Sequence, residues 1–217
     1  QTNSASASVA PLLQGFHARR AALWSRLQAR SPRSVWLEDF VAASPLVSGV
    51  GMSHPLEVGF VWDRNLGVPY LPGTSVKGAA RSWALHWEAV DPNDGNRVNR
   101  VFGDQETTGV GAVVFHALYP IAPCKLRVDV LNPHYARYYS EGAVPGDWMD
   151  PTPVFFLTVP AGTAFRTAIH SRAGASRTDL QYAVLSLVRA LGALGIGAKT
   201  AAGYGILQPE PKPAARQ

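Results

Sequence analysis

The chain has 217 residues, 47% of them hydrophobic and 16% charged, with a formal charge of +5 and a single cysteine, Cys124. That length implies one large domain, or one with sizeable insertions, whose core needs no disulfide or metal staple. One thiol excludes an internal disulfide and a cysteine-rich zinc site, the longest apolar runs (112–115 and 153–159) fall far below the roughly 20 residues that span a bilayer, and the N-terminus lacks the basic and apolar regions of a secretory signal. The expectation is a cytoplasmic protein with no membrane segment.

Residues 1–10 (QTNSASASVA) read as a disordered polar lead and 208–217 (QPEPKPAARQ) as a disordered, proline-rich tail, leaving 11–207 as a single domain. From Leu12 to Arg30, Leu12, Phe16, Leu23 and Leu27 recur at four, seven and four, one stripe of a helix, with Arg19, Arg26 and Arg30 on a neighbouring stripe. Ser31-Pro32 ends it, because a residue before proline is pushed out of the α region. An extended segment then runs toward Val50. In the second helix, Pro72-Gly73-Thr74-Ser75 supplies turn and cap, and Val76, Ala80, Trp83, Trp87 and Val90 form the apolar stripe. That periodicity assigns Trp83 and Trp87 to core packing rather than base stacking.

Strands follow at 112–121, 125–131, 153–159 and 164–170, separated by Pro, Gly and Asn, with a long loop at 132–152. Tyr135, Tyr138, Tyr139 and Arg137 in that loop are better stacking candidates, since they occupy no periodic element. A third helix starts near Thr178-Asp179, burying Leu180, Val184, Leu187, Leu191 and Leu194, and Ile206-Leu207 makes a last short strand. The order strand, helix, strands, helix, strand defines an α+β fold of ferredoxin-like type, preceded by an N-terminal helix and enlarged in the middle by a β/loop insertion. RNA-recognition (RRM-like) sheets share this topology, but no strand carries their aromatic RNP1 pattern, so RNA contacts are expected from loops and helices.

Charge is uneven. Residues 1–36 carry five Arg and no acid, and 160–217 carry seven Lys or Arg against two acids, so the ends sum to +10 and the middle to −5. This favours a polyanionic partner, the other reading being that the basic ends pair with the acidic middle or with an acidic subunit.

Two segments are candidates for binding. Residues 195–205, GIGAKTAAGYG, hold four glycines, Gly195, Gly197, Gly203 and Gly205, around Lys199 and Thr200, a composition that lets backbone amides approach a phosphate. It is not a nucleotide-hydrolysing P-loop, because Ala198 interrupts the pattern and the loop follows a helix instead of opening one. Its other reading is a helix cap with a tight turn, which suits Gly195 and Gly197 better than Gly203-Tyr204-Gly205. In the second segment, PGTSVKGAAR (72–81), Thr74 and Ser75 lie at a helix N-terminus, and Lys77 and Arg81 lie four apart on one face. An ordinary cap followed by two solvated cations is the alternative.

PYLPGTSVKGAARSWA, followed some 110 residues later by GIGAKTAAGYG, resembles the repeat-associated mysterious protein (RAMP) superfamily of CRISPR systems. The segments 46–73, Phe102-Gly103-Asp104, 129–139 and PVFFLTV resemble one backbone subunit family of its type III-B, or Cmr, effector complex, and the likeness covers about residues 12–207. The resemblance implies a ferredoxin-like RAMP core and a non-catalytic role. Such a subunit holds the 3′ part of the CRISPR RNA for pairing with target RNA, among other RAMP subunits of the Cmr complex. It implies no metal or other cofactor.

Carried onto this chain, the resemblance assigns guide contacts to Thr74, Ser75, Lys77 and Arg81, and to Gly195, Gly197, Lys199, Thr200, Gly203 and Tyr204. His54 and Arg137 join that set, and Arg19 and Arg26 face either RNA or an acidic neighbour. The position of a slicing carboxylate falls on Glu57, whose local context differs and which has no second carboxylate at a helpful spacing, Asp63 lying six residues on. The alternative function is endonucleolytic processing of guide precursor with His54 as general acid or base. The six histidines (17, 54, 86, 116, 134, 170) form no HxH or HxxxH pair, and His134 reads as a loop anchor.

Overall fold

A computed structural model describes residues 3–50, 60–88, 96–104, 109–132, 136–142, 144, 146, 151 and 153–211. In chain order the elements are α1 (Asn3–Arg30), β1 (Val35–Ala42), β2 (Trp62–Asp63), β3 (Val68–Pro69), α2 (Gly73–His86), α3 (Arg97–Phe102), β4 (Val113–Phe115), β5 (Tyr119–Pro120), β6 (Arg127–Leu131), α4 (Ala136–Glu141), β7 (Val154–Thr158), β8 (Ala164–Ser171), α5 (Arg177–Ala193) and β9 (Leu207–Pro209), with a single 3₁₀ turn at Thr200–Ala202 before the last strand.

The main sheet is antiparallel with order β4-β8-β1-β9, and β5 also pairs with β8. Numbering its long-range strands β1, β4, β8 and β9 as first to fourth, the spatial order is 4-1-3-2, which is the ferredoxin-like arrangement expected from the element order. The central ladder sets Val35 opposite His170 and Phe40 opposite Phe165. Alternation along it sends Phe40, Ala42, Phe165 and Ile169 to one face, where they form the main core with Val76 and Ala80 of α2 and Leu187 and Leu191 of α5. Each of these large side chains contributes about 1.5–3 kcal/mol through burial. Ser176 caps α5 in a reciprocal capping box with Asp179. Burial pushes the Asp179 carboxyl up, but the Ser176 hydroxyl and amide and the Arg100 guanidinium 3.0 Å away outweigh it and hold it below its ordinary value.

The opposite face of the sheet is covered by α1. Trp24 packs with Val35 and Ala168, and Leu13 packs with Leu66 and Val68. The buried stripe differs from the one expected: Leu12 and Leu23 are about half exposed, while Leu13, His17 and Trp24 are buried and Arg20 is half-buried. Counting hydrophobic spacing misses this register because two of its members are polar. The His17 Nε2–H donates to the Pro120 carbonyl at 2.9 Å, and Arg20 Nη2 donates to the Ala117 carbonyl at 3.0 Å. The Arg20 guanidinium lies 4.7 Å over the Trp24 ring and 5.2 Å over Phe16, and burial lowers its pKa to about 10.

Other differences are local. The first helix begins at Asn3, inside the segment expected as a disordered lead, and carries Pro11 in its interior. The last strand continues to Pro209, where it pairs with Phe40, inside the segment expected as a disordered tail. The loop expected at 132–152 contains the six-residue helix α4. On α5 the core-facing set is Leu180, Ala183, Ser186, Leu187, Ala190 and Leu191, with Val184 and Leu194 only half-buried. Small residues take the positions where α2 and α5 lie close together.

Beneath α1, the His116 and His170 rings meet with Nε2 and Nδ1 2.9 Å apart, and Trp24 sits edge-on to His116. Burial, the neighbouring His170 and Arg20 lower the His116 pKa to about 4, and burial also lowers those of His17 and His170. All three therefore hold the neutral form more strongly folded than unfolded, so the stability they contribute is complete above the unfolded value near 6.5 and is lost as pH falls toward 4. The urea midpoint is expected to drop between pH 7 and pH 4.5, and His116→Gln to reduce that drop. A pH-independent midpoint for the wild-type chain would contradict this account.

Candidate nucleic-acid interface

Helix α2 opens against the sheet. Leu71 pairs with Leu118, and Gly73 begins the helix so near β4 that a Cβ there would lie 2.4 Å from the Phe115 carbonyl. Pro72 is the N-cap, with no side-chain cap, so Thr74 and Ser75 do not cap the helix as the sequence suggests. They fall within its first turn, exposed, and the amides of Ser75 and Val76 both bond to the Pro72 carbonyl.

Two grooves flank α2. On one side Thr74, Lys77, Arg81 and Leu85 face Phe102-Gly103-Asp104 across a groove of about 520 Å³. Lys77 and Arg81 are half-buried, and Arg81 Nε is buried with no acceptor among the described residues. On the other side Ser75 and Ala79 face Gly195, Gly197 and Thr200 across a groove of about 640 Å³. Ser82 borders both. The two motifs, more than 100 residues apart in sequence, therefore meet at one helix.

The glycine-rich segment is built by close backbone packing. Gly195, Gly197, Gly203 and Gly205 all have positive φ, as does Lys199 at 60°. A Cβ on Gly197 would lie 2.2 Å from the Val47 carbonyl, and one on Gly205 would lie 2.0 Å from that of Ile196. The amides of Ala198 and Gly205 donate to the Val47 and Pro45 carbonyls, and the Ile206 amide to Ser44 Oγ. Gly203-Tyr204-Gly205, which helix capping does not explain, is thus accounted for by backbone approach at Gly205 and by the left-handed turn at Gly203.

Lys199 and Tyr204 point away from the groove. Lys199 Nζ lies 4.9 Å over the Phe156 ring, and the Tyr204 hydroxyl donates to Asp129 Oδ2 at 2.8 Å, a bond that raises its pKa. Both residues clasp the β6–β7 hairpin.

Among the remaining expected residues, Arg19 and Arg26 are exposed on α1, on the other side of the sheet from α2. His54, Glu57, His134 and Tyr135 lie outside the described residues, as do the side chains of Arg137 and Tyr139, while Tyr138 is exposed on α4. Asp63 is occupied internally: its carboxylate accepts from the Tyr119 hydroxyl at 2.8 Å and from the amides of Asn65 and Leu66. No group of three or more His, Cys, Asp or Glu suited to a metal occurs among the described residues. No described helix is long and apolar enough to cross a membrane.

Sequence reasoning missed one surface feature. Trp87, assigned to the core by periodicity, is 63% exposed and stacks on Trp83, with ring centroids 5.9 Å apart and planes 17° apart. The core stripe of α2 is Val76, Ala80 and Ala84, so the alanines carried the signal that the larger tryptophans masked.

A sheet of ferredoxin-like order, covered on both faces, with two motif-bearing segments converging on one helix, defines the class of fold. Residues 39–208 match the family model of the RAMP superfamily, and the chain belongs to that superfamily. It is 32% identical to the CRISPR system Cmr subunit Cmr6 of Pyrococcus furiosus, over 77% of this chain and 66% of the relative, and 26% identical to the Cmr6 subunit of Saccharolobus solfataricus, over 78% and 57%. The chain thus spans less than two thirds of the length of these curated relatives. The crystal structure of Cmr6 from Pyrococcus furiosus superposes with a TM-score of 0.55 at 30% identity, over 82% of this chain and 98% of that one. A chain of the type III-B Cmr-beta cryo-EM structure, bound to cognate target RNA, superposes with a TM-score of 0.71 at 21% identity, over 91% and 66%, a likeness of fold.

The packing orders three substitutions. Gly197→Ala and Gly205→Ala each meet a backbone carbonyl and a positive φ, whereas Gly203→Ala meets only the positive φ, which costs about 1–2 kcal/mol. Urea denaturation is expected to show both former variants less stable than Gly203→Ala. Equal stabilities for the three would contradict the close-approach account.

Proposed function

We propose that this chain is a non-catalytic RNA-binding backbone subunit of a type III-B CRISPR ribonucleoprotein, with residues 11–207 as its RAMP domain. In this reading it holds the 3′ part of the CRISPR RNA for recognition of target RNA in antiviral defence, and its partners are CRISPR RNA, target RNA and the other RAMP subunits of the Cmr complex. The observation that carries it is the convergence of the two RAMP motifs on α2, with Lys77 and Arg81 along one groove and Ser75, Gly197 and Thr200 along the other. The names of its relatives as Cmr subunits support it.

The chemistry expected of the surface is positioning. Lys77 and Arg81, which line the groove, offer cationic donors to phosphate oxygens, and the Ser75 and Thr200 hydroxyls and the α2 N-terminus offer neutral donors and a positive dipole end. No base-reading array is needed, because base pairing by the guide carries the sequence.

A double Lys77→Ala, Arg81→Ala variant tests the reading by fluorescence anisotropy with labelled repeat RNA over a range of salt. Its affinity should fall, and the slope of log affinity against log salt should shrink by about 1.4, at 0.7 per lost phosphate contact on a single strand. The intact chain should leave the RNA uncut. Affinity and slope equal to wild type would refute phosphate contact here, and cleavage of the repeat by the purified chain would refute the non-catalytic role.

A further inference from the structure

Ser75, Ala79 and Trp83 recur every four residues on one ridge of α2, and Trp87, the C-cap residue, follows at the same spacing. Ser75 and Ala79 form one wall of the groove opposite Gly195, Gly197 and Thr200. The ridge therefore leads from that groove to the exposed indole pair, about 18 Å along the helix axis from Ser75 to Trp87. Trp83 is the half-buried base of the stack, and Trp87 turns a largely free ring to solvent.

Two further observations mark this pair as a ligand surface. The Trp83 indole N–H is buried with no acceptor among the described residues, a state that costs about 1–3 kcal/mol. In addition, the described residues that flank Trp87 in sequence are polar. His86 and Glu88 flank Trp87, Glu88 accepts from Arg189 at 3.1 Å, and among the described residues the nearest exposed aliphatic in sequence, Leu85, lines the groove on the other side of the helix. A flat exposed ring at the end of a ridge that leads out of a hydroxyl-lined groove suits an unpaired nucleobase, whose π-face stacks on it whatever the base identity.

We infer that Trp87, backed by Trp83, is a stacking platform for an unpaired base of a single RNA strand lying between α2 and the 195–201 segment. The inference rests on the RNA-binding reading above and adds a contact that reads the base face as well as the phosphates.

The test uses the full chain and two fluorescein-labelled RNAs of equal length and charge, an oligoadenylate and its abasic counterpart, with anisotropy as the readout. Trp87→Ala should weaken oligoadenylate binding about 5- to 100-fold, leave the salt slope unchanged and leave the abasic strand unaffected. Trp87→Phe should restore most of the affinity, and circular dichroism should show both variants folded, as expected at so exposed a site. If Trp87→Ala binds oligoadenylate like wild type while the Lys77, Arg81 variant is weakened, the platform is wrong and the RNA-binding reading stands. If wild type binds neither strand, both are wrong. If RNA affinity is unchanged but Trp87→Ala strips a protein subunit from particles purified from cells, the stack is a protein contact and the inference is overturned.

Discussion

The segment 195–206 is held to the exit of β1 by backbone contacts too close for any side chain. Gly197 rests on the Val47 carbonyl and Gly205 on that of Ile196, while the amides of Ala198, Gly205 and Ile206 bond to Val47, Pro45 and Ser44. Those contacts join the end of α5, the start of β9 and the end of β1 in one block. They set the far wall of the groove beside α2 and leave Lys199 and Tyr204 free to clasp the β6–β7 hairpin. The glycine content that suggests a phosphate cradle is thus accounted for within the protein, and the surface left for a ligand is the Gly197–Thr200 side of the turn.

A second constraint comes from α1. By covering the sheet face that RNA-recognition domains use for their bases, it leaves the helices and their loops to carry any nucleic-acid contact. Its docking relies on polar anchors as well as apolar ones: His17 and Arg20 donate to the carbonyls of Pro120, in β5, and of Ala117, between β4 and β5. Arg20 is caged by Phe16, Trp24 and Tyr119, and the His116–His170 pair fills the space beneath. This layer packs with its histidines neutral, so acid weakens it.

The same arrangement separates the basic residues. Arg19 and Arg26 lie on the outer side of α1, and Lys77 and Arg81 lie across the sheet on α2. A charge count that lumps the basic residues 1–36 with the rest cannot see that these groups address different neighbours. Asp39 and Glu88, by contrast, are taken up within the chain by Arg166 and Arg189, so part of the acidic middle does pair with the basic C-terminal end, as charge counting allowed.

Sequence alone determined the ferredoxin-like order, because long apolar periods at 76–90 and 180–194 and apolar runs at 112–121 and 164–170 leave little choice of element type, and it located both RAMP motifs through residues whose spacing is local. Only the tertiary structure decided which face each helix buries. Polar His17 and Arg20 sit in the core-facing stripe of α1 because carbonyls from β5 and its approach satisfy them, and Trp87 leaves the stripe of α2 because small Ala80 and Ala84 let the helix lie close to the sheet and to α5. It decided too that the glycines serve backbone packing and that Ser75 and Thr200 share a groove, since both depend on the approach of segments more than 100 residues apart, which no local pattern encodes.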